Sequence, residues 1–135
     1  MDTYKFRRGE RIKSRKIIDY IFCGGARSFS NFPIRVVYKT NPNPKECYAQ
    51  ILVSVSKKRF KHAVDRNRVK RLIREAYRLN KHPLIKHLEK QNKHLVISFI
   101  YLSTRHISLA EMEDKLKTLM NLMIEDDYTL EETVG

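Results

Sequence analysis

Residues 95–102, Leu-Val-Ile-Ser-Phe-Ile-Tyr-Leu, decide the fold. A continuous apolar, β-branched run of this length fits a strand buried on both faces, and such a strand asks for a helix on each side. The run is far too short to span a bilayer and is interrupted by Ser98. Downstream, Ser108 and Glu111 form a capping box, and Leu109, Met112, Leu116, Leu119, Met120 and Met123 make the apolar stripe of a last helix. Its acidic end, from Glu125, is expected to fray. Upstream, Leu84–Lys90 reads as a short helical turn, and Pro83 limits a preceding helix. That helix begins between His62 and Arg66, has Asp65 favourably near its start, and runs to about Leu79. Tyr48–Ser56 and Phe32–Lys39 read as strands separated by the turn Asn41-Pro42-Asn43-Pro44, and they are expected to pair as a hairpin. In the first of these, Ala49, Ile51, Val53 and Val55 share one face. Ser14 starts a first helix carried by Ile17, Ile18, Ile21 and Phe22, and Gly24-Gly25 ends it. The order implies an α+β, two-layer sandwich in which helices pack a small mixed sheet. One domain is expected over residues 1–135, with an ordered core of about 6–124 and an acidic tail, 125–135.

The chain carries 28 Lys and Arg against 15 Asp and Glu, a net charge of +13. Beyond residue 110 the cations are Lys115 and Lys117, set among eight carboxylates, so the positive excess belongs to the body and the tail opposes it. Charge of this sign draws polyanions. With no spanning segment, the reading is nucleic acid and no membrane. The N-terminal residues lack an apolar stretch of signal-peptide type, and Cys23 and Cys47 form no CxxC pair, which together suggest a cytoplasmic protein.

The helix after residue 62 concentrates that charge. At about 100° per residue, Arg66, Lys70, Arg74, Asn67, Arg78 and Arg71 share one arc, with Leu79, Leu72, Ala76, Val69 and Ile73 opposite and Arg68 at the boundary. Like charges at i,i+4 repel, and Glu75 alone offers nearby relief on the helix. Solvated faces alternate sign, whereas this one has a single sign and follows Lys57-Lys58-Arg59 and Lys61. Arginine also suits phosphate, because its planar fork donates two parallel hydrogen bonds. A polyanion turns the repulsion of this face into attraction. Phosphate-binding residues fill the arc and leave little room for base reading apart from Asn67 and some arginines, so duplex DNA is disfavoured as a partner.

Ser54-Val55-Ser56-Lys57-Lys58, Ala63-Val64 and Arg66-Asn67-Arg68-Val69-Lys70-Arg71-Leu72-Ile73-Arg74-Glu75-Ala76-Tyr77 resemble the signature of the bacterial ribonuclease P protein component. The similarity extends through Arg11-Ile12-Lys13-Ser14 upstream and the final strand and helix downstream. The resemblance implies a protein subunit that binds a catalytic RNA and helps it hydrolyse one phosphodiester bond, removing the 5′ leader of precursor tRNA. It implies that Lys57, Lys58, Arg66, Asn67, Arg68, Lys70, Arg71 and Arg74 contact the catalytic RNA. It places the single-stranded leader in a cleft between the first helix and the sheet, at Ile18, Phe22, Tyr38, Ser54 and Ser56. It also implies a left-handed βαβ crossover, an exception to the usual hand.

Two departures from the family pattern stand out. Ile18 occupies a position where the family often has Phe, so leader stacking falls to Phe22, a strand aromatic such as Tyr38, and charge. Lys61-His62 replaces a frequent Gly-Asn. Phe22 has a second reading, as a core residue continuing the Ile17/Ile21 stripe.

Protein-borne hydrolysis of RNA needs clustered carboxylates holding metals or an acid/base pair. Asp2, Glu10, Asp19, Glu46, Asp65, Glu75 and Glu89 are scattered singly along residues 1–110. No catalytic residue and no metal site is therefore assigned to the protein alone. Catalysis is expected from Mg2+ held mainly by the partner RNA, with no organic cofactor. The alternative is a ribosomal-type structural RNA-binding protein, which shares the charge and core.

Overall fold

The computed structural model describes residues 8–42 and 47–134. Residue 6, where the ordered core is expected to begin, and Asn43 and Pro44 of the expected turn lie outside them. The elements are α1 (Arg15–Phe22), β1 (Arg27–Asn31), β2 (Ile34–Thr40), β3 (Ala49–Val55), α2 (Ala63–Asn80), α3 (His82–Gln91), β4 (Leu95–Tyr101) and α4 (Leu109–Val134). The doubly apolar run becomes β4, an inner strand of a four-stranded sheet ordered β1-β2-β4-β3. Ile97, Phe99 and Tyr101 pack into the larger core with α2, α3 and α4, while Val96 joins Ile12, Ile21 and Val37 in a smaller core under α1. Each face of β4 thus receives its helix, and the architecture is α+β.

β2 and β3 do not pair with each other, contrary to the expected hairpin. β4 lies between them, antiparallel to β2 and parallel to β3. The reason is burial: β4 is apolar on both faces, whereas Gln50, Leu52 and Ser54 of β3 stay half-buried, so burial favours β4 in the inner position. The parallel pair is joined through α2 and α3, the crossover that parallel strands require. β2 takes its other partner locally, from β1, a polar edge strand that hydrophobic periodicity misses.

Local signals explain most element ends. Gly24 and Gly25 take φ of 108° and 79°, which favour glycine, and turn the chain out of α1. The Glu111 N–H donates to Ser108 Oγ at 3.2 Å, the serine half of the expected capping box. α3 extends over ten residues, longer than a single turn, and closes with Asn92 in the left-handed region. α4 runs past Glu125, and Asp126 and Asp127 are docked on the body where fraying was expected. Asp126 accepts from Tyr38 Oη (2.7 Å) and Arg27 Nη2 (2.6 Å). Asp127 pairs with Lys93 and lies 2.6 Å from His87 Nε2.

Candidate nucleic-acid interface

α2 anchors itself through Val69, Ile73, Ala76 and Tyr77, all buried. Tyr77 departs from the simple wheel, because at about 20° from Arg66 it falls inside the cationic arc. The ring packs on Phe99, and its phenol is pushed up first by burial and then by the nearby Glu10 carboxylate. Tyr77 is fully buried, and Glu10 is hydrogen-bonded to Lys81 just past the end of α2, so the N-terminal segment packs against the last turns of the helix and the cationic face is narrower there than the wheel implies.

Asn67, Arg68 and Arg71 are exposed, and Arg66, Lys70, Arg74 and Arg78 are half-buried. Arg66 is also structural: its Nη1 donates to the carbonyls of Phe60 (2.8 Å) and Lys61 (2.9 Å), fixing the entry to the helix. Arg78 donates to Glu75 at 3.1 and 2.5 Å. That hydrogen bonding raises the arginine's pKa and lowers the carboxyl's. Arg74 moves the other way, lowered first by burial and then by the neighbouring Arg11. Arg11, Asn67, Arg71, Arg74, Glu75 and Arg78 line one open groove of about 440 Å³. Arg11 is the residue that reasoning about α2 alone leaves out. Lys57 and Lys58 are exposed in the turn before α2, which buried Phe60 pins against Tyr101 and His106.

The second group of site residues is only partly brought together. Ile18 packs half-buried on the α1 side of the sheet, and Ser54, alternating with buried Val53 and Val55, belongs to that side with Leu52. Ser56 is exposed beyond the end of β3. Phe22 is 52% exposed at the end of α1, and Ile21 fills the core position instead. Phe22 is therefore a surface aromatic, and its core reading fails. Tyr38 does not belong to this cleft. Val37 faces α1, so strand alternation turns Tyr38 to the opposite face, where it is buried and hydrogen-bonded to Asp126 of α4. Tyr20, half-buried on α1 with its ring under Lys39 Nζ at 4.0 Å, is an aromatic that does stand on the α1 side.

Among the described residues no group of three or more His, Cys, Asp or Glu is placed to hold a metal ion. Among them, too, no helix is long and apolar enough to cross a membrane.

The Ribonuclease P family model matches residues 6–123. The chain belongs to the Ribonuclease P family. It is 50% identical over 82 residues to the ribonuclease P protein component of Porphyromonas gingivalis, covering 61% of this chain and 59% of that protein. It is 36% identical over 83 residues to that of Chlorobaculum tepidum, covering 60% and 54%. The matched segments thus span less than two thirds of these relatives. The fold resembles that of the Staphylococcus aureus RNase P protein, with TM-score 0.67, 22% identity, and coverage of 86% of this chain and 96% of that one. The RNase P protein from Thermotoga maritima gives TM-score 0.62 at 25% identity, covering 82% and 94%. The ribosomal-type alternative gives way to membership of the Ribonuclease P family.

Proposed function

We propose that this chain is the protein subunit of a cytoplasmic ribonuclease P ribonucleoprotein, which removes the 5′ leader of precursor tRNA by endonucleolytic cleavage. The observation that carries this reading is the strongly cationic face of α2, rigidly seated by Val69, Ile73, Ala76 and Tyr77 in a chain of this family. Lys57, Lys58, Arg66, Asn67, Arg68, Lys70, Arg71 and Arg74 bind the catalytic RNA. Their cations neutralise backbone phosphates and release counterions, so affinity falls steeply with salt. The leader lies on the α1 side of the sheet, near Ile18, Ser54, Ser56 and the exposed ring of Phe22, which offers a stacking surface.

The reading assigns no catalytic residue to the protein. Mg2+, held mainly by the RNA, would supply the Lewis acid and the activated water, with no organic cofactor. The protein's residues bind and position. By screening phosphate repulsion, they help the RNA most where divalent ions are scarce. The test is cleavage of a 5′-labelled precursor tRNA at low Mg2+, with protein alone, ribonuclease P RNA alone, and both. Cleavage at the mature 5′ end only with both supports the reading. Cleavage by the protein alone, or a folded protein that never assists an active RNA, overturns it.

A further inference from the structure

Arg11 reaches the basic groove from a different part of the chain than the other arginines, and its backbone is fixed on every side. Gly9 O accepts from Gln50 Nε2 at 2.8 Å, Arg11 forms a parallel bridge with Ile51, and the Ile12 N–H donates to Ile51 O at 2.9 Å. Ile12 turns into the small core, and Glu10 is buried with both carboxylate oxygens 2.8 Å from Lys81 Nζ, at the α2–α3 junction. A buried ion pair is a poor source of net stability, since desolvation offsets its attraction, but it does specify position. Here it ties the N-terminal segment in register against the C-terminal end of α2.

We propose that Arg11 and α2 form a seat for a single RNA backbone phosphate, and that the Glu10–Lys81 pair positions Arg11 in it. The proposal rests on the RNA-binding reading above and adds to it a cation from outside α2. The groove is open and concave, and among the described residues it is lined by four arginines, with Asn67 as a further donor and Glu75 as the one carboxylate. Arg11 and half-buried Arg74 repel each other across it. A phosphate between them replaces that repulsion with two charge-assisted contacts, and the bidentate geometry of guanidinium suits it. Because the backbone at residues 9–12 is already immobilised, binding requires no backbone ordering there.

The test is equilibrium binding of the full-length protein to the ribonuclease P RNA of the same organism across a series of monovalent salt concentrations. Arg11→Ala should reduce the slope of log K against log salt by about 0.7–0.9, the value for one lost phosphate contact, with the unfolding temperature unchanged. Arg11→Lys should restore the slope but not the full affinity, because lysine binds phosphate as a point charge. Lys117→Ala, exposed on α4, is the control and should leave the slope unchanged. The double variant Glu10→Met/Lys81→Met removes both buried charges without leaving one unpaired, and should lose the same slope as Arg11→Ala while remaining folded. Wild-type binding with an unchanged slope for Arg11→Ala overturns the seat alone. A wild-type slope in the folded double variant overturns the positioning role. A wild-type protein with no salt-dependent affinity for the RNA overturns the RNA reading, and the seat with it.

Discussion

Among the described residues Glu75 is the one negative side chain lining the basic groove, and replacing it tests whether the groove meets phosphate. In Glu75→Gln the shape of the side chain is kept, the charge is lost, and the two charge-assisted hydrogen bonds from Arg78 are cut to one neutral bond to the remaining amide oxygen. A carboxylate roughly 7 Å from a groove-bound phosphate repels it by about 0.8 kcal/mol at an effective dielectric near ~60. Screening over about 8 Å at physiological ionic strength leaves roughly 0.3 kcal/mol, a little under twofold in affinity. Arg78, no longer neutralised by the Glu75 carboxylate, contributes one further phosphate contact, which steepens the salt slope by about 0.7–0.9. Together these should tighten RNA binding by about two- to fivefold at physiological salt, and by more at low salt. Glu75 is 40% exposed, so loss of a surface pair should barely move the unfolding temperature. The assay is titration of ribonuclease P RNA at several salt concentrations beside thermal unfolding of the free protein. Weaker binding at every salt concentration, with the fold intact, would refute the reasoning: Glu75 would then orient Arg78 for RNA instead of masking it.

Other perturbations separate structure from binding. Arg71→Ala, at an exposed position, should flatten the salt slope by about one contact without changing stability, whereas Arg66→Ala should also lower the unfolding temperature, because it abandons the carbonyls of Phe60 and Lys61. Equal effects on stability would count against that division. Phe22→Ala should fold normally and reduce the preference for precursor over mature tRNA by about 5- to 160-fold if one base stacks there; competition binding measures this, and an unchanged ratio removes Phe22 from the leader site. Burial pushes the Asp126 and Asp127 carboxyls up, but hydrogen bonds from Arg27 and Tyr38 to the first, and from Lys93 and His87 to the second, outweigh it and hold both below their ordinary value. Their stabilisation is therefore full above about pH 4 and is lost as pH falls through the lower folded-state values. Asp126→Asn should cost about 1 kcal/mol near neutral pH, after discounting for half-exposed Arg27, or roughly 3–4 °C. The double variant Asp126→Asn/Asp127→Asn should show a shallower loss of stability between pH 5 and 3; an acid limb as steep as that of the wild type would deny the docking of α4.

Features governed by local geometry were legible in the sequence. The 3.6-residue period sorts Val69, Ile73 and Ala76 from Asn67 and Arg71, and Ser108 caps α4 through its side chain as read. The apolar run at 95–102 correctly required a helix on each face. Non-local choices were not legible. Backbone hydrogen-bonding groups are alike in every strand, so nothing in Tyr48–Ser56 says whether β2 or β4 is its neighbour; burial of the doubly apolar strand decides it. Alternation assigns Tyr38 and Val37 to opposite faces, but only packing decides which face meets α1 and which meets Asp126. Tyr77 leaves the cationic arc because distant segments close over it, and Arg11 enters the groove because Glu10 finds Lys81 and Ile12 finds Ile51. The sequence by itself determined the charged face and the helices that carry it, since both follow from residues within a few turns of one another. Only the tertiary structure decided which strands pair, which aromatic residues stay at the surface, and which remote side chains complete the groove, because those outcomes depend on burial shared between segments far apart in the chain.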